Sequence, residues 1–171
     1  RSAASTRRTN ATACSAFSLA TAGMMFSFRL RISRKSADWS SRASAASIVL
    51  NRDWEEGLAS TVRVAVRTAP PVCAGLLLLL GDQVAVTPDD LRRLFAAWRR
   101  HPILIAAALY SGAPGLPAIF PRWAFSDLLE LRGDRDARLV LRRNVDQLVR
   151  VPMQNAGVEL DTPEDLLLLE T

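Results

Sequence analysis

An uninterrupted run of five leucines, Leu76 to Leu80, leads directly into Gly81, Asp82 and Gln83. A continuous apolar run that ends at a glycine predicts a strand buried on both faces, as in a parallel sheet covered by helices. Asp82 would then lie at the carboxyl end of this strand, the edge at which open α/β sheets bind ligands. A carboxylate at that edge suits a divalent metal. The alternative is a turn aspartate that only caps backbone amides.

The size and charge of the chain exclude several classes of protein. The 171 residues, 49% of them hydrophobic, predict one domain with a core. Residues 1–47 hold 8 basic side chains and 1 acidic one, whereas residues 48–171 hold 14 and 16. The body is therefore mildly acidic, which does not favour a nucleic-acid partner. No apolar run reaches the roughly 20 residues of a membrane span, and two cysteines are too few for a disulfide framework. We therefore expect a cytoplasmic protein with no membrane partner.

The leading segment, residues 1–47, differs from the rest in composition. It holds 11 of the 14 serines, together with scattered arginines. Such a segment is typical of an organellar transit peptide, but a stretch translated in the wrong frame or a divergent segment would look the same. We predict that residues 1–47 are irregular, incomplete or disordered, and that one domain covers residues 48–171.

From residue 48 onward, apolar runs alternate with amphipathic stretches, a pattern that predicts an α/β fold with a mostly parallel sheet flanked by helices. The predicted strands cover 47–50, the leucine run to residue 80, 103–110 and 147–152. The predicted helices cover 58–68, 88 to about 101, 122–131, the stretch from about 133 to 143, and 166–170. Residues 111–117 are predicted to form a loop, since Gly112, Pro114 and Gly115 interrupt the pattern.

Two further groups of charged residues lie at the ends of predicted elements. Glu159 and Asp161 precede a Thr-Pro-acid-acid helix start, and a parallel sheet would bring them near Asp82 around one cation. Arg135 and Arg138 form either a solvated helix start or a site for an anionic substrate. The single histidine, His101, is expected to cap a helix end, and zinc or Ser-His chemistry has no support.

Five segments in order resemble one family. They are NRDWEEGLAS, LLLLLGDQVAVTPDDL, GLPAIFPRWAF, GDRDAR and ELDTPEDL, between residues 51 and 168. Together they are similar to the MobA-like nucleotidyltransferases, especially the molybdenum cofactor cytidylyltransferase branch. The resemblance implies a Rossmann-like sheet of the nucleotide-diphospho-sugar transferase type. It also implies Mg²⁺-dependent transfer of a nucleoside monophosphate from an NTP, CTP or GTP with CTP favoured, to the phosphate of a molybdopterin-type cofactor. Pyrophosphate is released, and a molybdoenzyme or its chaperone is an expected transient partner.

The resemblance also assigns roles to individual residues. Asp82 matches the family's catalytic, metal-binding aspartate. Glu159 and Asp161 match its terminal metal-binding pair, with Glu159 standing where the family has aspartate. The residues implied to contact the nucleotide or acceptor are Gly57, Ser60, Thr61, Gly81, Gln83, Gly115, Pro117 and Arg138.

One family signature is missing. Members begin with a strand and the run Leu-Ala-Ala-Gly-x-Ser-x-Arg-x-Gly followed by lysine, which cradles the triphosphate. Residues 19–23 match it only weakly, and Lys35 stands without the glycine. We therefore predict a domain that lacks its first strand and phosphate loop. Two functions follow: a nucleotidyltransferase, inactive if the cradle is lost, or a noncatalytic remnant that binds a pterin, a nucleotide or a partner protein.

Overall fold

The structure, a computed structural model, describes residues 14–21, 24–31 and 46–160, with side chains from Val49 onward. Within these residues there are seven strands: β1 (Cys14–Thr21), β2 (Met24–Arg31), β3 (Ala46–Val49), β4 (Gly75–Leu80), β5 (Ile105–Tyr110), β6 (Ala113–Pro121) and β7 (Leu148–Pro152). The α-helices of the same part are α1 (Leu58–Thr68), α2 (Pro88–Arg100), α3 (Phe125–Leu129) and α4 (Arg138–Arg143).

The described strands form one sheet in the order β3-β2-β1-β4-β6-β5-β7. β1 pairs parallel with β4, and β5 pairs parallel with β7. β2 and β6 pair antiparallel with both of their neighbours and so run opposite to the other five strands. The predicted α/β fold is therefore confirmed: five of the seven described strands share one direction, although only β1 with β4 and β5 with β7 pair in parallel.

Two strands lie within the leading segment. β1 runs beside β4 with Ala20 opposite Leu80, so the two strands end at the same edge of the sheet. The predicted boundary at residue 48 stays a prediction.

The leucine run is buried on both faces, as its composition predicts. Leu76 and Leu78 pack into the core under α1, α3 and α4. Leu77 packs on the opposite face against Leu94 and Trp98 of α2. Full burial of one such leucine stabilises the fold by about 1.5–3 kcal/mol, so β4 anchors the layers on both sides of the sheet.

The prediction of a loop over residues 111–117 is wrong beyond Gly112. Residues from Ala113 onward form β6, which inserts between β4 and β5. Prolines lack an amide donor and glycines weaken strands, so their density hid the strand from the pattern. The register of β5 and β6 shifts between Ala107 and Ala108, and this irregularity accommodates the proline-rich half of the strand.

The helices follow local sequence signals. α1 has the bounds predicted for it. α2 begins with a capping box: the Thr87 side chain accepts from the Asp90 amide at 3.2 Å, and Asp90 Oδ2 accepts from the Thr87 amide at 2.9 Å. The helix ends at Arg100, and His101 is its C-cap. The helix predicted over 122–131 is shorter in the structure, because residues 122–124 form a 3-10 turn and α3 ends at Leu129. The helix predicted over 166–170 lies outside the described residues.

Asp90 should make the stability of the protein depend on pH. Its side chain is 8% exposed, and Oδ2 accepts from Thr87 Oγ1 at 2.7 Å and from Asn155 Nδ2 at 2.5 Å. Burial alone would raise the pKa of Asp90, but hydrogen bonds from Asn155, Thr87 and Arg93 lower it well below the usual range. A lowered folded-state pKa stabilises the protein above the unfolded value near 3.9, and this stabilisation is lost as the pH falls below that value.

We therefore expect Asp90→Asn to lower the free energy of unfolding at pH 7 by about 1–3 kcal/mol, because the charged hydrogen bonds are lost. The difference from wild type should shrink between about pH 4 and pH 2. Urea unfolding at several pH values measures both effects, with the exposed Asp89→Asn as the control. A difference that stays constant with pH would contradict the account.

Among the described residues, none of the helices is both long and apolar enough to cross a membrane.

Candidate functional site

The predicted site residues meet at one edge of the sheet. β4, β5 and β7 end at this edge, and the antiparallel β6 begins there. The turn that follows β4 holds Gly81, Asp82 and Gln83. Loops at the carboxyl ends of parallel strands are where α/β sheets bind ligands, so the fold assembles its polar loops at a functional edge.

The two acidic turns predicted to meet lie side by side. The backbone carbonyl of Asp82 accepts from the Leu160 amide at 3.1 Å and from the Val84 amide at 2.9 Å. Glu159 is therefore carried by a segment that is hydrogen-bonded to the turn of Asp82. Asp161 lies outside the described residues.

One carboxylate oxygen of Asp82 is suited to a cation. Oδ1 is buried and has no hydrogen-bond partner among the described residues. A buried acceptor without a partner is costly, and a bound cation would satisfy it. No group of three or more possible metal ligands occurs within residues 49–160. Asp82 with Glu159 thus fits a divalent ion that takes its remaining ligands from other oxygens, as Mg²⁺ does when it binds nucleotide phosphates.

Gln83 is a buried bridge between three backbone segments. Its Nε2 donates to Leu116 O at 2.7 Å and to Ala156 O at 2.7 Å, and its Oε1 accepts from the Leu80 amide at 3.5 Å. Both amide hydrogens are used in these bonds. The contact with substrate expected of Gln83 stays a prediction, and the structure gives the side chain a structural role at the edge.

Tyr110, the last residue of β5, lies between two glycines. A Cβ on Gly115 would stand 2.3 Å from the Tyr110 hydroxyl, and a Cβ on Gly157 would stand 3.1 Å from its ring. The hydroxyl is buried. Burial raises the pKa of Tyr110, and Arg138, Glu159 and Asp136 act on it electrostatically. Gly115 therefore has a local reason to be glycine, separate from the substrate contact expected of it. Pro117, the other residue expected on this side, is fully buried within β6.

Arg138 is paired with two carboxylates. Its Nε lies 3.1 Å from Asp136 Oδ2, and one terminal nitrogen donates to Glu159 Oε1 at 3.1 Å. The Arg138 amide also donates to Asp136 Oδ1 at 2.9 Å. The structure thus brings Arg138 and Glu159 together, and it adds Asp136, which bonds to the Arg138 amide and forms an ion pair with Nε, an atom without a hydrogen-bond partner among the described residues.

The hydroxyls expected to face the substrate are organised by a buried asparagine. Asn51 Nδ2 donates to Ser60 Oγ at 2.7 Å and to Thr61 Oγ1 at 3.0 Å. Ser60 Oγ in turn donates to the carbonyl of Gly57 at 2.7 Å. The proton of Ser60 is therefore used within the protein, whereas Thr61 accepts from Asn51.

Gly57 allows two loops to touch. It has a φ of 107°, and a Cβ there would stand 2.3 Å from Asp134 Oδ1 and 2.8 Å from Gly133 O. The first turn of α1 is joined to the same loop, since the Ala59 amide donates to Gly133 O at 3.0 Å. The buried Arg63 supports this contact by donating to Leu131 O at 2.8 Å and by pairing with Glu56. The hydrogen bond from Arg63 lowers the pKa of Glu56.

An open groove lies between α1, β4 and the start of α4, and it encloses a cavity of only about 20 Å³. Its lining is largely leucine and other apolar side chains, with Thr61 and Asp136 as its polar members: Leu58, Thr61, Val62, Leu78, Leu79, Leu80, Leu116, Asp136 and Ala137. A cavity of this size holds about one water molecule, and the exposed part of its lining is apolar.

Three residues of the site were not singled out from the sequence. These are Asn51, which bonds to the Ser60 hydroxyl, Tyr110, which packs between the two glycines, and Asp136, which pairs with Arg138. Tyr110 carried a usable signal, because it ends a predicted strand at the same edge as Asp82. Asn51 acts on residues nine and ten positions away, which no local pattern reveals, whereas Asp136 acts on Arg138 only two positions on, in the way that a turn aspartate does.

Comparison with known proteins identifies relatives. The sequence profile of the MobA-like NTP transferase domain matches residues 23–149, which begin within the Ser- and Arg-rich leading segment. None of the curated proteins matches the chain.

Solved structures of mycobacterial proteins are similar to this fold. Rv0371c from Mycobacterium tuberculosis H37Rv is 29% identical with a TM-score of 0.56, over 66% of this chain and 60% of that one. Its homolog from mycobacterium sp. strain JC1 is 28% identical with a TM-score of 0.54, over 66% and 56%. A complex of Rv0371c with manganese has a TM-score of 0.54 at 29% identity, over 65% and 60%. The matched region spans less than two thirds of each of these solved chains.

Proposed function

Because the chain belongs to the MobA-like NTP transferase family, we propose that it transfers a nucleoside monophosphate from CTP to the phosphate of a molybdopterin-type acceptor and releases pyrophosphate. The edge formed by the turns of Asp82 and Glu159 is the proposed reaction site. Asp161, beyond the described residues, is the proposed third carboxylate.

One observation carries the proposal: the buried Asp82 Oδ1 that lacks a hydrogen-bond partner among the described residues. It lies at the ligand-binding edge, next to a segment that carries a second carboxylate. A turn aspartate that only caps amides would leave no buried oxygen unpaired, so the capping alternative explains this geometry less well.

The chemistry requires two anions to meet. An oxygen of the acceptor phosphate attacks the α-phosphorus of CTP and forms a P–O bond, while the bond between the α-phosphorus and the bridging oxygen breaks and pyrophosphate leaves. A divalent ion, when bound, neutralises charge on the phosphate oxygens. Asp82 and Glu159 would hold it. Glu159 lies beside the Arg138 guanidinium, which would bind phosphate oxygens.

The same proposal includes Mg²⁺ as the resident ion and CTP as the preferred nucleotide. It also includes a cytoplasmic location and transient contact with a molybdoenzyme or its chaperone. The manganese complex of Rv0371c supports a divalent cation in a relative.

A direct assay tests the proposal. Pyrophosphate release is measured with the full chain, Mg²⁺, a molybdopterin-type acceptor and either CTP or GTP. We expect release that requires the acceptor and is faster with CTP. Asp82→Asn is the negative control and Asp146→Asn, an exposed position, the positive one. Nucleotide binding without pyrophosphate release would instead support the noncatalytic alternative.

A further inference from the structure

We propose that the Arg138–Glu159 ion pair is an exchangeable contact that makes anion binding depend on the cation. Without a cation, Glu159 occupies the guanidinium of Arg138. With a cation at Asp82, Glu159 turns to the ion and Arg138 becomes free to bind a phosphate. This inference rests on the proposed function, since it assigns the order in which that site takes its ligands.

The contacts of Arg138 divide into one fixed side and one exchangeable side. Asp136 Oδ1 accepts from the Arg138 amide at 2.9 Å, and Asp136 Oδ2 lies 3.1 Å from Nε as an ion pair without hydrogen-bond geometry. Glu159 holds one terminal nitrogen, at 3.1 Å. Asp136 is therefore a positioning residue, which keeps the guanidinium in place when Glu159 leaves.

The pair is accessible enough to exchange. The side chain of Arg138 is 34% exposed and that of Glu159 is 28% exposed. A half-buried pair of this kind is weak, because water and ions compete for both partners. A phosphate, which offers the guanidinium more than one oxygen, is a stronger partner than a single carboxylate oxygen.

Charge balance sets the order of binding. Asp136 and Glu159 both pair with Arg138, so two negative charges face one guanidinium and the group is net negative, which disfavours a phosphate. A divalent cation removes this excess. Glu159 is suited to follow the cation, because its neighbour Leu160 is hydrogen-bonded to Asp82 O at 3.1 Å.

The experiment uses inorganic pyrophosphate as the probe and calorimetry on the full chain. In EDTA, Glu159→Gln should bind pyrophosphate about three- to tenfold more tightly than wild type, because the guanidinium is released and one negative charge is removed. The control, Glu130→Gln, removes the same charge at an exposed position and should change the affinity less than about twofold. Arg138→Gln should abolish the gain when combined with Glu159→Gln.

The addition of Mn²⁺ should reverse the order of the pyrophosphate affinities of wild type and Glu159→Gln. Wild type should gain more affinity for pyrophosphate from the cation than Glu159→Gln does, because only wild type can move the carboxylate to the ion. Equal binding by wild type and Glu159→Gln in EDTA, no binding by either, or an equal gain with Glu130→Gln would overturn the proposal. Pyrophosphate binding requires no nucleotidyl transfer, so a failure of the proposed reaction leaves this result interpretable. Thermal unfolding of each variant, with Glu159→Ala as a second substitution at this position, checks that the fold is intact.

Discussion

Replacing Asp82 with asparagine is expected to abolish cation binding at the edge of the sheet without destabilising the fold. The substitution keeps the shape of the side chain and removes its charge. Loss of a carboxylate that contacts the ion should weaken Mn²⁺ binding by more than about 100-fold, since even partners around the ligands are worth 10- to 100-fold. Because Oδ1 has no hydrogen-bond partner among the described residues, the free energy of unfolding should stay the same or rise.

Electron paramagnetic resonance of free Mn²⁺ measures the first effect, and thermal unfolding without metal measures the second. Asp146→Asn is the matched control, because its side chain is exposed and it precedes β7, at the opposite end of that strand from the site. An Asp82→Asn protein that binds Mn²⁺ like wild type would contradict the assignment. One that unfolds at a markedly lower temperature would show that Asp82 caps amides after all.

Replacing Gly57 with alanine is expected to cause the largest loss of stability among single substitutions at the site. The residue has φ 107° and ψ −174°, a region nearly restricted to glycine, and the new Cβ would meet the backbone of Gly133 at 2.7 Å. Backbone strain and the clash together should lower the free energy of unfolding by about 2–4 kcal/mol. The start of α1 and the loop before α4 would move apart, and the groove between them would change shape.

Gly112→Ala is the matched control for this prediction. Gly112 also has a positive φ, 77°, but a Cβ there would meet nothing within 4 Å. It should therefore lose only about 1 kcal/mol, the cost of the backbone conformation alone. Urea unfolding of both variants separates the clash from the strain. Equal losses would mean that the approach of Gly57 to Gly133 contributes nothing.

The parts of the fold that the sequence predicts are those with a strong local signal. The leucine run can bury its apolar side chains only between two layers of helices, and β4 is buried on both faces. α2 has a complete set of capping residues at its start, and its bounds follow from them. β6 has no such signal, because its prolines and glycines are also the residues of loops.

The site was only partly predictable because its key contacts join distant positions. Asp82 could be placed from the strand that precedes it, and its carbonyl bond to Leu160 requires the folded sheet. Gln83 bonds to Leu116 and Ala156, 33 and 73 positions away. A motif shows that a glutamine follows the aspartate, but it does not show that both amide hydrogens are used by the backbone.

This edge of the sheet is expected to bind a nucleotide together with a divalent cation. Calorimetric titration of CTP into the wild-type full chain, once with Mg²⁺ and once with EDTA, measures whether it does. We expect saturable binding with Mg²⁺ and binding at least about tenfold weaker in EDTA, since the cation offsets the repulsion between the carboxylates and the triphosphate. The absence of CTP binding in both conditions, or the same affinity in both, would contradict it.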